Sequence, residues 1–539
     1  MAKALWRHVH FVTTARMSKP TNQTYQAAPI FCPDREADAL RILRLLDADP
    51  AATVLYFGDA VVRRDELAAL IRSFAARLAE CGVHPGDRVA LRLPDSPAFL
   101  QAFLGAGLAG AVPVPIAPQL PLAEQAVILA DCGARLLVAA TGEGADGLPV
   151  PDVLPCPLAG LTGHAPRRNA PRLPVNADPA RPAFLLYTSG STGRPKGVIR
   201  SHGDLFVAAA AFGDHLLGAG DGLAPAAHTV LCASKLSFSY GLQVQMACAL
   251  ARGAVLVLNP GPPEPSRLLK LIGRHSVTAF FAVPAIYAQL LRETDDYAPL
   301  ASLTICHASG EALPEAVFKA WKRHTGLSIC EGLGATETFT TFLTTLPGHA
   351  VPGSLGRAVP GFSVALVDAS GAPVAPGRPG RLKVYGPGLT PGYWNRPEET
   401  ARAISPDGWL DTGDLCVEDE HGLRHTGRLG DSIKSGGEWI SPLPVEDCLR
   451  THPEVLDCAV TACRVMGLEY PMAHVVMRRT DVAEDDLAQT LREYVLARLP
   501  RHMCPVRVLF CDSLPRTVTG KIKRQALRET SPPVSEKPS

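Results

Sequence analysis

One stretch concentrates groups that can hold an anion: Tyr187-Thr-Ser-Gly-Ser-Thr-Gly-Arg-Pro-Lys-Gly197. Glycine lets a backbone approach a ligand closely, and successive amide N–H groups in such a loop form an anion-binding concavity. Thr188, Ser189, Ser191 and Thr192 add hydroxyls around Gly190 and Gly193, and Lys196 adds a charge. A polyphosphate is the natural guest. The stretch is not a Walker A loop, in which Gly-Lys-Ser/Thr opens a helix, because Val198 follows Gly197. It also lacks a dinucleotide fingerprint and the Gly-x-Ser-x-Gly frame of a hydrolase elbow. Taken alone, a loop of this composition reads equally well as flexible surface.

Other segments carry carboxylates and cations in loop-like settings. They are Ser309-Gly310-Glu311-Ala312, Gly332-Leu-Gly-Ala-Thr-Glu337, Trp409-Leu-Asp-Thr-Gly-Asp414, Gly427-Arg-Leu-Gly-Asp431 and Arg516-Thr-Val-Thr-Gly-Lys521. Each alone is compatible with a turn. Together and in this order they resemble the signatures of the adenylate-forming superfamily: acyl- and aryl-CoA ligases, adenylation domains of peptide synthetases, and luciferase. The resemblance runs from roughly residue 50 to residue 530.

That resemblance implies roles for individual residues. Thr188 to Gly193 and Lys196 would cradle ATP phosphates. Gly310, Glu311 and Ala312 would line the adenine pocket, and Gly334 and Ala335 would help bind ATP or AMP. Thr336 would contact the α-phosphate and Glu337 would help hold Mg²⁺, an ion that takes oxygen ligands from carboxylates and phosphates. Asp414 would accept from both ribose hydroxyls, as an acceptor-only carboxylate can, with Arg428 beside it. Lys521 would bridge the acid's carboxylate and the α-phosphate. Lys434, Ser435, Gly436, Gly437 and Trp439 would line a tunnel for the pantetheine arm of CoA or of a carrier protein. Gly430, with Asp431 next, would be the pivot of a mobile C-terminal domain, where many relatives place Asp or Lys.

The acid pocket is expected at Phe238, Tyr240, Gly241, Leu333 and Thr340. The run Ser234-Lys-Leu-Ser-Phe-Ser-Tyr-Gly-Leu242 resembles the benzoate-CoA ligase version of that segment. Ser239 stands where domains that activate α-amino acids carry Asp, which argues against an ammonium-bearing substrate. Phe238 and Tyr240 can flank an aryl ring, and equally can be core aromatics. Thr340 stands where benzoate ligases tend to carry His, which suggests a substituted, hydroxylated or bicyclic aromatic acid. The expected activity is acid–thiol ligation through an acyl-adenylate with ATP, Mg²⁺ and CoA. Loading of an acyl carrier protein is the close alternative. A luciferase-like oxygenation has no residue to motivate it, and an inactive nucleotide-binding protein is disfavoured by the complete set Lys196, Glu337, Asp414, Arg428 and Lys521.

Positioning these groups requires an α/β fold. Alternation of strand-like and helix-like segments from Thr53 to Ile116, and again from Asp204 to Cys306, predicts two helix-covered sheets. Asp65 is expected to cap a helix with Leu67, Leu70, Ile71, Phe74 and Leu78 on its apolar face. From residue 350, short strands between Gly/Pro turns predict a small barrel-like subdomain. Residues 1–427 would form the AMP- and acid-binding domain, with 1–20 a disordered leader. Residues 428–530 would form a mobile α+β domain and 531–539 a disordered tail.

Composition bounds the rest. The chain has 539 residues with Lys+Arg 53 against Asp+Glu 52, a balance that gives no footprint for nucleic acid or an anionic membrane. Its 14 cysteines form no C-x-x-C pair, as expected of reduced thiols in the cytoplasm. The apolar run from Ala102 to Pro118 is cut by glycines and prolines, so it does not read as a membrane span. A monomer or homodimer is expected.

Overall fold

The computed structural model describes residues 25–26, 37–141, 147–159, 181–189, 194–218, 227–435, 438–465, 468–478, 484–517 and 521–530. The predicted leader, 1–20, and tail, 531–539, lie outside them; strand Tyr25–Gln26 pairs with Ser363–Val367.

The α/β architecture is as expected. A nine-stranded sheet has six parallel strands at its centre, in the order Ile329–Ala335, Ile305–Ser309, Ala279–Ala282, Thr229–Cys232, Val255–Leu258, Thr53–Phe57. Antiparallel strands flank it at both ends, Thr340–Thr344 with Arg357–Ala358 on one side and Ala60–Arg63 on the other. Central strands such as Val255–Leu258 are apolar along their length because helices cover both faces. Helices Pro265–His275 and Pro284–Glu293 return the chain between strands. Each begins with Pro, whose fixed φ and missing N–H suit a first turn.

A second, four-stranded parallel sheet runs Val112–Pro115, Arg88–Arg92, Ala134–Ala140, Val153–Cys156. Helix Leu122–Cys132 packs over it; neither that helix nor strand Ala134–Ala140 was part of the sequence expectation. Between the two sheets lies the hairpin Phe184–Ser189/Pro195–Arg200. Its alternation is used fully: Leu185 packs into the core of the small sheet while Phe184 and Leu186 enter the main core. The barrel-like subdomain is a five-stranded antiparallel sheet that includes Ser363–Val367, Gly380–Tyr385, Leu410–Asp419 and Gly422–Arg428. Beyond it, strands Val455–Val465, Leu468–Met477 and Arg507–Phe510 form a three-stranded sheet under helices Pro442–Arg450 and Glu484–Leu496, with its own core around Val445, Leu449, Val460 and Leu491.

Two local expectations need correction. Asp65 does not cap its helix. Strand Ala60–Arg63 runs directly into helix Arg64–Glu80, so Asp65 lies in the first turn and the Glu66 carboxylate accepts from the Arg63 amide at 2.8 Å. Strand Thr53–Phe57 belongs to the large sheet rather than to the small one that follows it in sequence. In addition, the helix after Tyr240 continues as a π-helical stretch over Gln243–Ala249.

Candidate active site

The hairpin brings Thr188 opposite Lys196 and Ser189 opposite Pro195. Gly190, Ser191, Thr192 and Gly193, with the side chain of Ser189, lie outside the described residues. Lys196 Nζ is 2.5 Å from Glu399 Oε2 and stands 5.5 Å from the centre of the Tyr393 ring. Its hydrogen bond and charge hold the Glu399 carboxyl below the usual range. Arg396 reaches Glu399 at 3.4 Å and Asp131 at 3.0 Å, and Asp131 also accepts from the Tyr187 hydroxyl at 2.7 Å. A polar chain therefore ties both strands of the hairpin to the segment around residues 393–399.

The same Tyr393 donates its hydroxyl to Glu337 Oε1 at 2.8 Å. Lys196, Tyr393 and Glu337 thus stand in sequence across the mouth of the hairpin. Glu337 is held from beneath by Arg200, which is fully buried. Arg200 Nη1 donates to the carbonyls of Glu337 at 2.9 Å and Thr336 at 3.2 Å, and its Nη2 binds Asp204 and the carbonyl of Gly388. The Thr390 amide donates to the Glu337 carbonyl at 2.7 Å. Phe339 then takes a left-handed φ of 48°, uncommon for a bulky residue, and turns the chain back into strand Thr340–Thr344. The antiparallel pairing of that strand sets Thr340 beside Ala335 and Thr341 beside Gly334.

Asp414 lies on the adjoining antiparallel sheet, paired with Arg428 across the two strands. Arg428 Nε donates to Asp414 Oδ1 at 2.9 Å, and His425 Nε2 lies 3.2 Å from the same oxygen. Burial alone would raise the Asp414 pKa, but the His425 hydrogen bond and the Arg428 charge outweigh it and hold the group at about 2. Asp414 is therefore an anion at every working pH.

Lys521 arrives from the far end of the chain. A Cβ on Gly310, which has a φ of +100°, would sit 3.7 Å from Lys521 Cε. Although its surface is open to solvent, the walls around it, and then the charge of Arg428, push its pKa down against the pull of Asp414, Glu311 and Glu337. Arg516 stands between Glu311 at 3.6 Å and Asp457 at 2.6 Å, so the same segment is tied to both sides. Ala312 follows Glu311, and the next amide, that of Leu313, donates to Glu331 Oε1 at 2.9 Å.

The expected acid-pocket residues Phe238 and Tyr240 are half-buried, as is Leu333. Their loop is pinned from behind. The Lys235 ammonium donates to the carbonyls of Asn259 at 2.7 Å and Gly261 at 2.6 Å, and Asp95 accepts from the Leu236 amide at 2.8 Å. Gly241 has no room for a Cβ against the carbonyls of Ser234 and Lys235. Tyr240 Oη lies 2.7 Å from His307 Nδ1, and Thr341 Oγ1 meets Gln243 Oε1 at 3.2 Å. Thr340 is buried and its hydroxyl has no hydrogen-bond partner among the described residues.

The expected tunnel residues fall on a separate hairpin, Ile433–Ser435/Glu438–Ile440. The Lys434 amide donates to Glu469 at 3.4 Å and the Ser435 hydroxyl to the His502 carbonyl at 2.8 Å. Gly436, Gly437 and the Trp439 side chain lie outside the described residues. Gly430 and Asp431 form a short 3₁₀ turn, Leu429–Asp431, in which Asp431 pairs with Arg528 at 3.1 Å. Gly430 has no left-handed φ and open space at its Cβ, so this conformation does not itself require glycine.

Sequence reasoning missed Arg200, Asp204, Tyr393, Glu399, His425, His307 and Gln243. Arg200 closes the strand that leaves the phosphate loop, and a charged residue inside an apolar run was the available signal. Among the described residues, no cluster of three His, Cys, Asp or Glu side chains could hold a metal by itself, and no helix is long and apolar enough to cross a membrane.

Comparison with known proteins matches residues 46–394 to the AMP-binding enzyme family and residues 444–521 to the AMP-binding enzyme C-terminal domain. The chain is 36% identical to an anthranilate–CoA ligase of Pseudomonas aeruginosa, over 91% of this chain and 96% of that protein. It is 33% identical to a 3-hydroxybenzoate–CoA ligase of Aromatoleum sp. (strain CIB), over 86% and 90%. Among solved structures it is similar to the anthranilate CoA ligase AuaEII in complex with anthranoyl-AMP (TM-score 0.82, 30% identity, 93% of this chain and 98% of that one). It is also similar to a benzoate CoA ligase from Burkholderia xenovorans LB400 (TM-score 0.81, 31% identity, 91% and 99%).

Proposed function

Because the chain belongs to the AMP-binding enzyme family, we propose that it joins a substituted aromatic carboxylic acid to the thiol of CoA through an acyl-adenylate, releasing pyrophosphate and then AMP. The observation that carries this reading is Lys521. A cation from the C-terminal sheet's own folding unit rests over Gly310, amid Glu311, Glu337, Asp414 and Arg428.

A carboxylate is a poor acyl donor because its leaving group would be oxide. In the first step a carboxylate oxygen attacks the α-phosphorus of ATP, and the bond to pyrophosphate breaks. Two anions must approach each other, and positioning with charge neutralisation is what a protein contributes to such transfers. Lys521 neutralises the junction, Lys196 and the hairpin hold the outgoing phosphates, and Thr336 orients the α-phosphate. Asp414 accepts from the ribose hydroxyls, with Arg428 fixing its carboxylate. Gly310–Ala312 and Gly334–Ala335 border the base. The donor set fits Mg²⁺: Glu337 has one oxygen engaged by Tyr393 and the other, among the described residues, available, and Mg²⁺ is usually bound by one or two carboxylates together with phosphate oxygens and water. When bound, the ion offsets phosphate charge.

In the second step the thiol sulfur attacks the acyl carbon and AMP departs. The tunnel residues Lys434 and Ser435 sit on the C-terminal unit, so residues 428–530 turn about Gly430 and Asp431 between the two steps, a hinge motion of a familiar kind. The curated relatives, named for 3-hydroxybenzoate and anthranilate, support a substituted ring. Loading of a carrier-protein phosphopantetheine uses the same chemistry and is the second reading.

ATP–pyrophosphate exchange over a panel of aromatic and aliphatic acids tests the proposal, followed by thioester formation with CoA or a carrier protein. Exchange with substituted benzoates and thioester on CoA is the expected outcome. Best exchange with a long-chain fatty acid would end the aromatic reading.

A further inference from the structure

Behind Tyr240 lies a fully buried imidazole, His307. Its hydrogen bonds fix where its proton sits. The Thr344 hydroxyl donates to the Thr345 carbonyl at 2.9 Å, so it meets His307 Nε2, 3.3 Å away, with a lone pair. Nε2 therefore carries the hydrogen and Nδ1 the lone pair. Burial pushes the imidazole pKa down to about 3, so no second proton is bound near neutral pH. The Tyr240 hydroxyl, 2.7 Å from Nδ1 and 3.4 Å from the His307 carbonyl, then donates to the nearer acceptor, Nδ1. With its proton committed, the Tyr240 oxygen is left to accept only.

Three residues on, and so on the same face of the helix, stands Gln243. It is 3% exposed. One end of its carboxamide meets the Thr341 hydroxyl at 3.2 Å, and the other, Nε2, has no hydrogen-bond partner among the described residues. A buried amide left unbonded is costly, and a ligand group that completes it is favoured. Their partners meet at Gly332, where a Cβ would lie 2.6 Å from Thr341 Cγ2 and 2.7 Å from His307 Nε2. One acceptor and one unsatisfied amide end are thus carried on successive helical stretches, with partners that converge at Gly332, the residue before Leu333 of the expected acid pocket.

We propose that Tyr240 and Gln243 together read a hydroxyl group on the aromatic ring of the acid, which donates to the Tyr240 oxygen and bonds the free end of the Gln243 carboxamide. His307 is the positioning residue that sets the polarity of Tyr240. The proposal rests on the aromatic-acid reading above. A phenolic hydroxyl both donates and accepts, so it satisfies the pair: its proton goes to the Tyr240 oxygen and its lone pair accepts from Gln243 Nε2. A plain ring leaves both bonds unmade, and a fluoro or methoxy group cannot donate.

The test is kcat/KM for pyrophosphate release with benzoate, the monohydroxybenzoates and their fluoro and methoxy counterparts. The wild type is expected to favour one hydroxybenzoate over its fluoro counterpart by about tenfold or more, as sites that bond a substrate hydroxyl do. Tyr240→Phe and Gln243→Leu should each reduce that ratio about tenfold. His307→Leu removes Nδ1 and leaves the Tyr240 proton only the more distant carbonyl of residue 307, 3.4 Å away, so preference should shift towards the methoxy acid. If that variant does not fold, the Gln243→Leu ratio decides alone. Equal losses across all acids, or an unchanged ratio, would overturn the proposal while leaving the aromatic reading intact. Absence of pyrophosphate release with every aromatic acid would instead remove the aromatic reading, and this proposal with it.

Discussion

Arg200 joins the fold to the chemistry, and its removal should damage both in separable ways. Replacing it by Met deletes a buried cation whose partner, Asp204, is 5% exposed and, among the described residues, otherwise accepts only from the Ser201 amide at 2.8 Å. Stranding one member of a buried pair costs about 3–5 kcal/mol. For a unit of roughly 400 residues that is a fall in Tm of about 4–6 °C. Arg200→Met also releases the carbonyls of Thr336 and Glu337, which Arg200 holds at 3.2 and 2.9 Å. A misplacement of about 1 Å at a reacting centre costs on the order of 100-fold, so pyrophosphate exchange should fall by that order. The double variant Arg200→Met/Asp204→Asn separates the effects. Neutralising Asp204 should restore most of the Tm, measured by calorimetry, but not the exchange rate. If the double variant recovered both, Arg200 would be a counter-ion alone and the link to Glu337 would be wrong. An unchanged Tm in the single variant would refute the burial argument.

Lys521→Ala should lower acyl-adenylate formation by about 100- to 1,000-fold, the scale for losing one preorganised donor, and transfer from supplied acyl-AMP to CoA by less than about tenfold; equal losses in the two half-reactions would reject its assigned place. Asp414→Asn should raise the KM for ATP by about ten- to a hundredfold, because charge-assisted hydrogen bonds contribute about 1.5–3 kcal/mol; exchange kinetics at varied ATP measure it, and an unchanged KM would remove Asp414 from the ribose. Burial, and then the charge of Asp204, raise the pKa of Asp38 to about 8. The folded chain therefore keeps a proton that the unfolded chain releases, so this contribution to stability is full below about pH 4 and is lost as pH rises towards 8. Asp38→Asn should accordingly raise Tm, by roughly 4 kcal/mol of stability at pH 7 and by little near pH 4; a gain independent of pH would contradict the sign.

The groups proposed to handle the nucleotide were legible because each lies in a short contiguous signature: Lys196 on its loop, Thr336 with Glu337, Asp414, Lys521. Local pattern also placed most helices, as Pro265–His275 and Pro284–Glu293 illustrate. What escaped is non-local. Tyr393 reaches Glu337 and Glu399 reaches Lys196 only because the segment near residue 393 folds back on the hairpin, with the Trp394 amide on the Gly197 carbonyl at 2.7 Å. His307 looked like one more residue of a buried strand, and its two ring partners come from a helix and from another strand. Leu122–Cys132 went unread because its apolar stripe is narrow between prolines and glycines. Asp65 misled because a strand led straight into its helix and left no separate capping residue.

The position of strand Thr53–Phe57 bears on how the polypeptide emerges from the ribosome. Its parallel neighbour, Val255–Leu258, is synthesised roughly 200 residues later, which at about 5–20 residues per second is a delay of about 10–40 s. Through that interval Val54 and Leu55, both buried in the finished protein, lack their parallel neighbour and have the hairpin to Ala60–Arg63 and helix Arg64–Glu80 to shield them. Chaperone occupancy during translation should peak before residue 258 leaves the exit tunnel and fall once it has done so.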